Sequence, residues 1–168
     1  MYVLYLLRHA KSSWADPGLA DRERPLAPRG RRDAKRIAKY LGRLGCSPKL
    51  VLCSPAVRTR DTLELVRPVL ADSTIVLEED LYGASSDLLL ARLRRVPDMV
   101  ASVMLVGHNP GLHQLALALA SDGDELGRLE AKFPTAALAT LDIPRPWSRL
   151  EPGDATLSAF VVPKQLKS

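Results

Sequence analysis

Short apolar runs alternate along the chain with longer stretches whose apolar residues recur at helical spacing. Tyr2 to Leu7 are six apolar residues in a row. A run without polar interruption reads as a strand covered on both faces, hence a central strand of a parallel sheet. Leu50 to Cys53, Thr74 to Leu77 and Val103 to Val106 repeat the pattern, and the short Thr74 to Leu77 run suits an edge. Ala136 to Leu141 and Leu157 to Val162 read as two closing strands, joined by a long hairpin made irregular by Pro144, Pro146 and Pro152. Pro28 suits the first turn of a helix. Its stripe is Ala34, Ile37, Ala38, Leu41 and Leu44, and Gly45 ends it. Ser54 and Pro55 read as the cap and first residue of a second helix, with Leu63, Val66 and Leu70 inward and Pro68 bending or ending it. Ser85 or Ser86 caps a third, with Leu88, Leu89, Leu93 and Val96. Leu112, Leu115, Ala116 and Leu119 mark a fourth. Residues 12 to 27 read as a loop over the strand ends, and residues 122 to 135 as a polar excursion.

Four strand–helix alternations and two final strands predict a three-layer α/β/α sandwich with a mainly parallel sheet of about six strands. The 168 residues suit a single domain spanning 1–168. Cys46 and Cys53 lack metal-like spacing and make no disulfide framework. No stretch is long and apolar enough to span a membrane, and the first apolar run lacks a basic flank and cleavage site. The expected location is therefore cytoplasmic. The net charge of +5 invites anionic partners, although ordinary surface chemistry accounts for it equally well. Arg29, Arg31, Arg32, Lys35, Arg36, Lys39 and Arg43 make the first helix strongly basic. Without interleaved aromatics, nucleic acid is a disfavoured partner.

The strand ends carry the chemistry. In open α/β sheets, ligands sit beyond the carboxyl ends of the strands. The first strand runs into Arg8-His9, the second toward Arg58 in the opening of a helix, and the fourth into Gly107-His108. Helix openings favour anions, and Gly107 would let backbone approach a ligand. Each arginine can give a two-pronged hydrogen bond to phosphate. A surface ion pair with Asp61 or Glu64 is the plainer reading of Arg58, and a strand-edge hydrogen bond that of His9. His113, inside the fourth helix, reads as structural or solvent-facing. The third strand ends in Glu78-Glu79-Asp80, three acids that could supply a proton donor or simply a solvated turn. No glycine-rich nucleotide loop occurs, so no cofactor is expected.

Leu7-Arg8-His9-Ala10-Lys11 resembles the Arg-His-Gly signature of the histidine phosphatase superfamily, which includes the phosphoglycerate mutases. Ser54-Pro55-Ala56-Val57-Arg58-Thr59-Arg60-Asp61-Thr62 resembles its Ser-x-x-x-Arg-x-x-x-Thr element, and Val106-Gly107-His108-Asn109-Pro110 its second histidine element. Leu26-Ala27-Pro28-Arg29-Gly30 resembles its Leu-Thr-x-x-Gly helix start. The short length and Leu81-Tyr82-Gly83-Ala84-Ser85 most resemble the phosphohistidine phosphatase (SixA) branch. Ala10 and Lys11 depart from the glycine and glutamate common in the mutases. Ala27 replaces a threonine cap, a loss on the order of 1 kcal/mol if uncompensated.

The resemblance implies a phosphatase in which His9 is the nucleophile and Arg8, Arg58 and His108 hold the phosphoryl oxygens. Glu79 aligns best with the leaving-group acid, with Glu78 and Asp80 as alternatives. Lys11 would add positive charge near the phosphate and favour an acidic substrate. No metal is implied. The favoured substrate is protein phosphohistidine. Alternatives are a small-molecule phosphomonoester, or a non-catalytic module binding phosphorylated protein or nucleic acid. Without an insertion long enough for a closed lid, an open pocket suits a phosphorylated side chain. A monomer or weak dimer is expected.

Overall fold

The computed structural model describes residues 1–166. Seven strands form one sheet: β1 (Tyr2–Arg8), β2 (Leu50–Cys53), β3 (Thr74–Leu77), β4 (Ser102–Gly107), β5 (Ala120–Asp122), β6 (Leu138–Ile143) and β7 (Ala155–Val161). Their order is β3-β2-β4-β1-β6-β7-β5. The β3, β2, β4 and β1 strands are parallel, whereas β6 runs antiparallel to both β1 and β7. The helices are α1 (Pro28–Leu44), α2 (Val57–Val66), α3 (Ser86–Arg94), α4 (Gly111–Leu119) and α5 (Leu126–Ala131).

The continuous apolar runs follow from cover on both sheet faces, because successive side chains point opposite ways. Leu4, Leu6, Val103 and Leu105 pack with Leu89, Leu93, Leu112 and Leu115 of α3 and α4. Leu7, Val51, Met104 and Val106 pack with Ala34, Ile37, Leu41, Leu63 and Val66 of α1 and α2. β1 is central, and β3 is a short edge strand, as β5 is at the other edge. The α/β/α expectation therefore stands, with seven strands rather than six.

Several boundaries move. β5 has only three residues and pairs with β7 through an irregular register, too short a run to show a period. It ends at Asp122, the first residue of the stretch read as a polar excursion, and α5 lies within that stretch. Ala136 lies outside β6 because its amide turns to the carbonyls of Arg8 and His9, at a positive φ of 60°. α2 starts at Val57 rather than Pro55, and Ser54 does not cap it. Leu44 and Leu88, read as core, are 56% and 40% exposed, each at the margin of its stripe. Gly45 does end α1, with φ 66°, and Ser85 does cap α3 by accepting from the Leu88 amide. The chain ends α2 at Val66, and Pro68 lies in the 3₁₀ turn that follows.

Gly30 fixes how α1 meets the end of β1. A Cβ there would lie 2.1 Å from the Lys11 carbonyl oxygen. Ala27, before the helix, makes no side-chain cap, but its own amide donates to that same Lys11 carbonyl at 2.9 Å. The start of α1 is thus tied to backbone two residues beyond His9.

Candidate active site

β1, β2 and β4 end in line. Arg8 pairs with Gly107 and Cys53 with Val106 as the last residues of their ladders. One residue further, the His9 amide donates to the Gly107 carbonyl and the Ser54 amide to the Val106 carbonyl, both at 3.1 Å. Parallel registry therefore delivers His9, Ser54 and His108 to one edge. The His9 and His108 ring centroids are 5.3 Å apart.

His9 is buried, and its Nδ1 lies 2.8 Å from the Ala10 carbonyl oxygen. A carbonyl can only accept, so Nδ1 carries the proton and Nε2 keeps its lone pair. Burial lowers the His9 pKa to about 3, and His108, Arg8 and Arg58 push the same way. Burial, then Arg58, lowers that of His108 to about 4. Both rings are neutral at neutral pH.

In the Ser-x-x-x-Arg-x-x-x-Thr element Ser54 sits just past the end of β2, and Arg58 and Thr62, four residues apart, share one face of α2. Ser54 Oγ meets His108 Nε2 at 2.7 Å. Arg58 is buried and sends Nη1 to the Asp21 carbonyl at 2.8 Å and Nη2 to Asp21 Oδ2 at 3.0 Å. Thr62 Oγ1 accepts from the Ala10 amide at 3.0 Å while donating to the Arg58 carbonyl at 2.8 Å. The element thus holds the second histidine, one arginine and the backbone beside the first histidine. The expected surface pairing of Arg58 is absent: Asp61 accepts from the Leu26 amide and Glu64 pairs with Arg67.

On the other side Arg8 Nη1 and Asn109 Nδ2 donate to the Phe133 carbonyl, at 3.0 and 2.9 Å. Burial and then Arg58 lower the Arg8 pKa. Arg8 Nε and His108 Nδ1 are buried without a hydrogen-bond partner among the described residues, as is Asn109 Oδ1. Buried polar atoms of native proteins rarely lack partners, so these three stand out. Two of these three can be donors beside His9, an arrangement suited to an oxyanion.

The 12–27 loop crosses the site as expected, and Asp21 is its point of contact. It accepts from Arg58, from Tyr82 Oη at 2.5 Å and from Arg24 at 3.0 Å. The Tyr82 and Arg58 hydrogen bonds hold its carboxyl below the usual carboxylate range. Tyr82 stands edge-on to His108 with centroids 5.6 Å apart. Ser54, Thr62, Tyr82 and Asn109 lie within the motifs above but, like Asp21, carry no site role in the sequence reading. For Thr62, the recurrence every fourth residue was a usable signal; for Asp21, nothing distinguished it within a charged run.

The three candidate acids separate. Glu79 is on the rim, 68% exposed, paired with Arg22, and its carboxyl is held low by that pairing. Glu78 is turned to Arg92, which lowers it likewise. Asp80 is exposed. None makes a hydrogen bond to either histidine. Lys11 is exposed beside the site, its backbone packed under Gly30. Gly107 leaves room for a side chain, since a Cβ there would meet only Leu112 at 3.9 Å. His113 is structural: its Nε2 lies 2.6 Å from the Leu129 carbonyl.

Comparison with known proteins agrees with this picture. Residues 4–85 match the model of the histidine phosphatase superfamily, branch 1. An uncharacterised protein of Mycobacterium tuberculosis, Rv1276c, is 40% identical over 162 residues, covering 94% of this chain and all of the relative. A protein from Agrobacterium tumefaciens assigned as a phosphohistidine phosphatase SixA is 33% identical, with a TM-score of 0.83 over 96% of this chain and 97% of the other. The protein histidine phosphatase SixA complexed with tungstate matches with a TM-score of 0.80 at 26% identity, over 98% and 99% of the two chains. A chain so aligned over nearly its whole length, with imidazoles and guanidiniums gathered at one sheet edge, belongs to the SixA-like branch of the histidine phosphatase superfamily.

Proposed function

We propose that this phosphatase hydrolyses phosphohistidine on proteins through a covalent phosphoryl group on His9. The observation that carries the reading is the His9 imidazole itself. Its Nδ1 proton is bound to the Ala10 carbonyl, and its buried Nε2 stays unprotonated beside two arginines. A neutral imidazole with one committed nitrogen is a ready nucleophile.

In the first step His9 Nε2 attacks phosphorus, and the phosphorus–nitrogen bond of the substrate breaks. The bonding pair leaves with the substrate nitrogen. Once its distal nitrogen carries a proton from solvent, the group departs as neutral imidazole. In the second step water attacks phosphorus, the bond to Nε2 breaks with its electron pair returning to the ring, and the water proton passes to solvent. Two easier displacements replace one hard one.

Arg8 Nε and His108 Nδ1 would take the non-bridging oxygens. Ser54 Oγ accepts from the Ala56 amide at 3.4 Å and has its own proton to give to His108 Nε2. That leaves the proton of neutral His108 on Nδ1, free to meet an anion. Arg58 would join them once its fork is released from Asp21. Donors fixed in advance stabilise charge developing on the transferring group. The SixA protein that matches in fold is complexed with tungstate, an oxyanion, which supports an oxyanion as the ligand.

The leaving group separates substrates. Glu79, ionised and bound to Arg22, must leave that pair before it can donate a proton. Imidazole, with a pKa of about 6.5 for its protonated form, needs little help, whereas an alkoxide needs much. The test is to incubate the purified protein with a phosphohistidine peptide and with phosphoserine, quench in base, and look for acid-labile phosphate. The expected result is label on the wild type, none on His9→Asn, and faster release from the phosphohistidine peptide. Faster release from phosphoserine would assign a phosphomonoester substrate. Binding without release from either would point to the non-catalytic module.

A further inference from the structure

The basic face of α1 does not take part in the chemistry above, yet it forms one wall of a cleft of about 460 Å³. Arg29, Arg32 and Arg36 line it from α1, Lys132 from the segment before β6, and Lys164 from the turn after β7. Among the described residues Asp33 is the sole carboxylate in the lining, and Arg29 and Arg36 lie 3.9 and 3.4 Å from it. Arg32, Lys132 and Lys164 are exposed and make no ion pair among the described residues. Five cations from three separated segments, facing one carboxylate, are more than a solvated helix face requires.

The topology puts this cleft at the same end of the molecule as the histidines. α1 begins at the carboxyl end of β1, with Gly30 packed on the Lys11 backbone two residues past His9. β6 is antiparallel to β1, so the segment before it lies at that end too, and β7 returns there, with Val161 opposite Leu138. Between Lys132 and Pro134, two lining residues, Phe133 gives its carbonyl to Arg8 and Asn109. Cleft and site share that wall. Arg29 to Arg36 spans about 10 Å of helix at 1.5 Å per residue. About three extended residues cover that length.

We infer that this cleft holds an acidic segment flanking the phosphorylated residue of a protein substrate. The inference rests on the phosphatase reading and adds substrate selection to it. Opposite charge across an exposed interface acts on encounter and affinity more than on the chemical step. The effect therefore falls on KM, and on peptides rather than small phosphoryl donors. No aromatic side chain lines the cleft, so there is no platform on which a nucleobase could stack.

The test uses two phosphohistidine peptides, identical except for three glutamates or three glutamines on each side of the phosphorylated residue, with phosphoramidate as the small donor. Turnover gives kcat and KM, and fluorescence anisotropy of the labelled peptides gives Kd. In the wild type the glutamate peptide is expected to show about ten-fold lower KM and Kd at low salt, and the advantage should fade as salt rises. The double variant Arg32→Glu, Lys164→Glu should erase the advantage while leaving kcat and phosphoramidate hydrolysis unchanged. Equal KM and Kd for the two wild-type peptides would overturn the inference. So would inhibition by a single-stranded oligonucleotide that the double variant abolishes, with no difference between the peptides. A Kd difference without turnover of any substrate would keep the cleft and remove the phosphatase reading instead.

Discussion

Arg8 and Arg58 flank the same pair of histidines and are held in opposite ways. Arg8 is anchored by a backbone carbonyl, that of Phe133, and keeps a buried Nε without a partner. Arg58 has both terminal nitrogens on Asp21, one to its carbonyl and one to its carboxylate. A carbonyl orients a guanidinium without competing for its charge. A carboxylate occupies the place an anionic ligand would take and must yield it. In the proposed reaction the Arg8 side would be preorganised, whereas the Arg58 side would exchange one anion for another. Two arginines given the same role by the sequence need not contribute equally.

The largest test compares the two arginines directly. Arg8→Ala should lower kcat/KM about 10³-fold, the upper range for loss of one fixed donor to a developing charge. Arg58→Ala should lower it at least ten-fold less, because part of the Arg58 interaction is already spent on Asp21. Equal losses in steady-state assays would end the comparison.

Next in size is the response to acid. Unfolded histidines bind protons near pH 6.5, but His9 and His108 in the folded chain do so only near 3 and 4. Between those values the unfolded state binds more protons, so stability falls as pH is lowered. His9→Asn should therefore lose less stability between pH 7 and pH 5 than the wild type does, read as the shift in urea midpoint. A wild-type midpoint that holds steady over that range would contradict the buried neutral pair. The acid limb of kcat/KM should likewise lie near pH 4 or below.

Thr62→Val is smaller. It keeps the shape but leaves the Ala10 amide buried and unpaired, at a cost of about 1–3 kcal/mol. Denaturant unfolding measures that loss. kcat should fall with it, because Ala10 carries the carbonyl that orients His9. Stability lost with kcat intact would separate Thr62 from the histidine.

The smallest effect has the most telling sign. Asp21→Asn removes the competing charge from Arg58 and leaves the side chain's shape. Inorganic phosphate and tungstate should then inhibit about three- to five-fold more tightly, on the scale of an exposed charge interaction. Weaker inhibition would make Asp21 a fixed support for Arg58 and erase the distinction between the two sides.

Much of this was legible in the chain. The runs of Tyr2 to Leu7 and Val103 to Val106 had to be central strands, since only cover on both faces accounts for uninterrupted apolar sequence. Parallel strands with helices between them must then end along one edge, which groups Arg8, His9, Arg58 and His108 from the sequence alone. β5, at three residues, carried no period to read. Ser54 looked like a helix cap because serine before proline usually is one. Its contact with His108 depends on a neighbouring strand far away in sequence.

By itself, then, the sequence determined the layers, the strands that end together and the residues offered at that edge, because these follow from local periodicity and connection rules. Only the tertiary structure decided which of those groups are spoken for. Asp21 on Arg58, Phe133 on Arg8 and Arg22 on Glu79 join segments 37, 125 and 57 residues apart. Such pairings depend on how loops fold back over the sheet, and no local pattern encodes that.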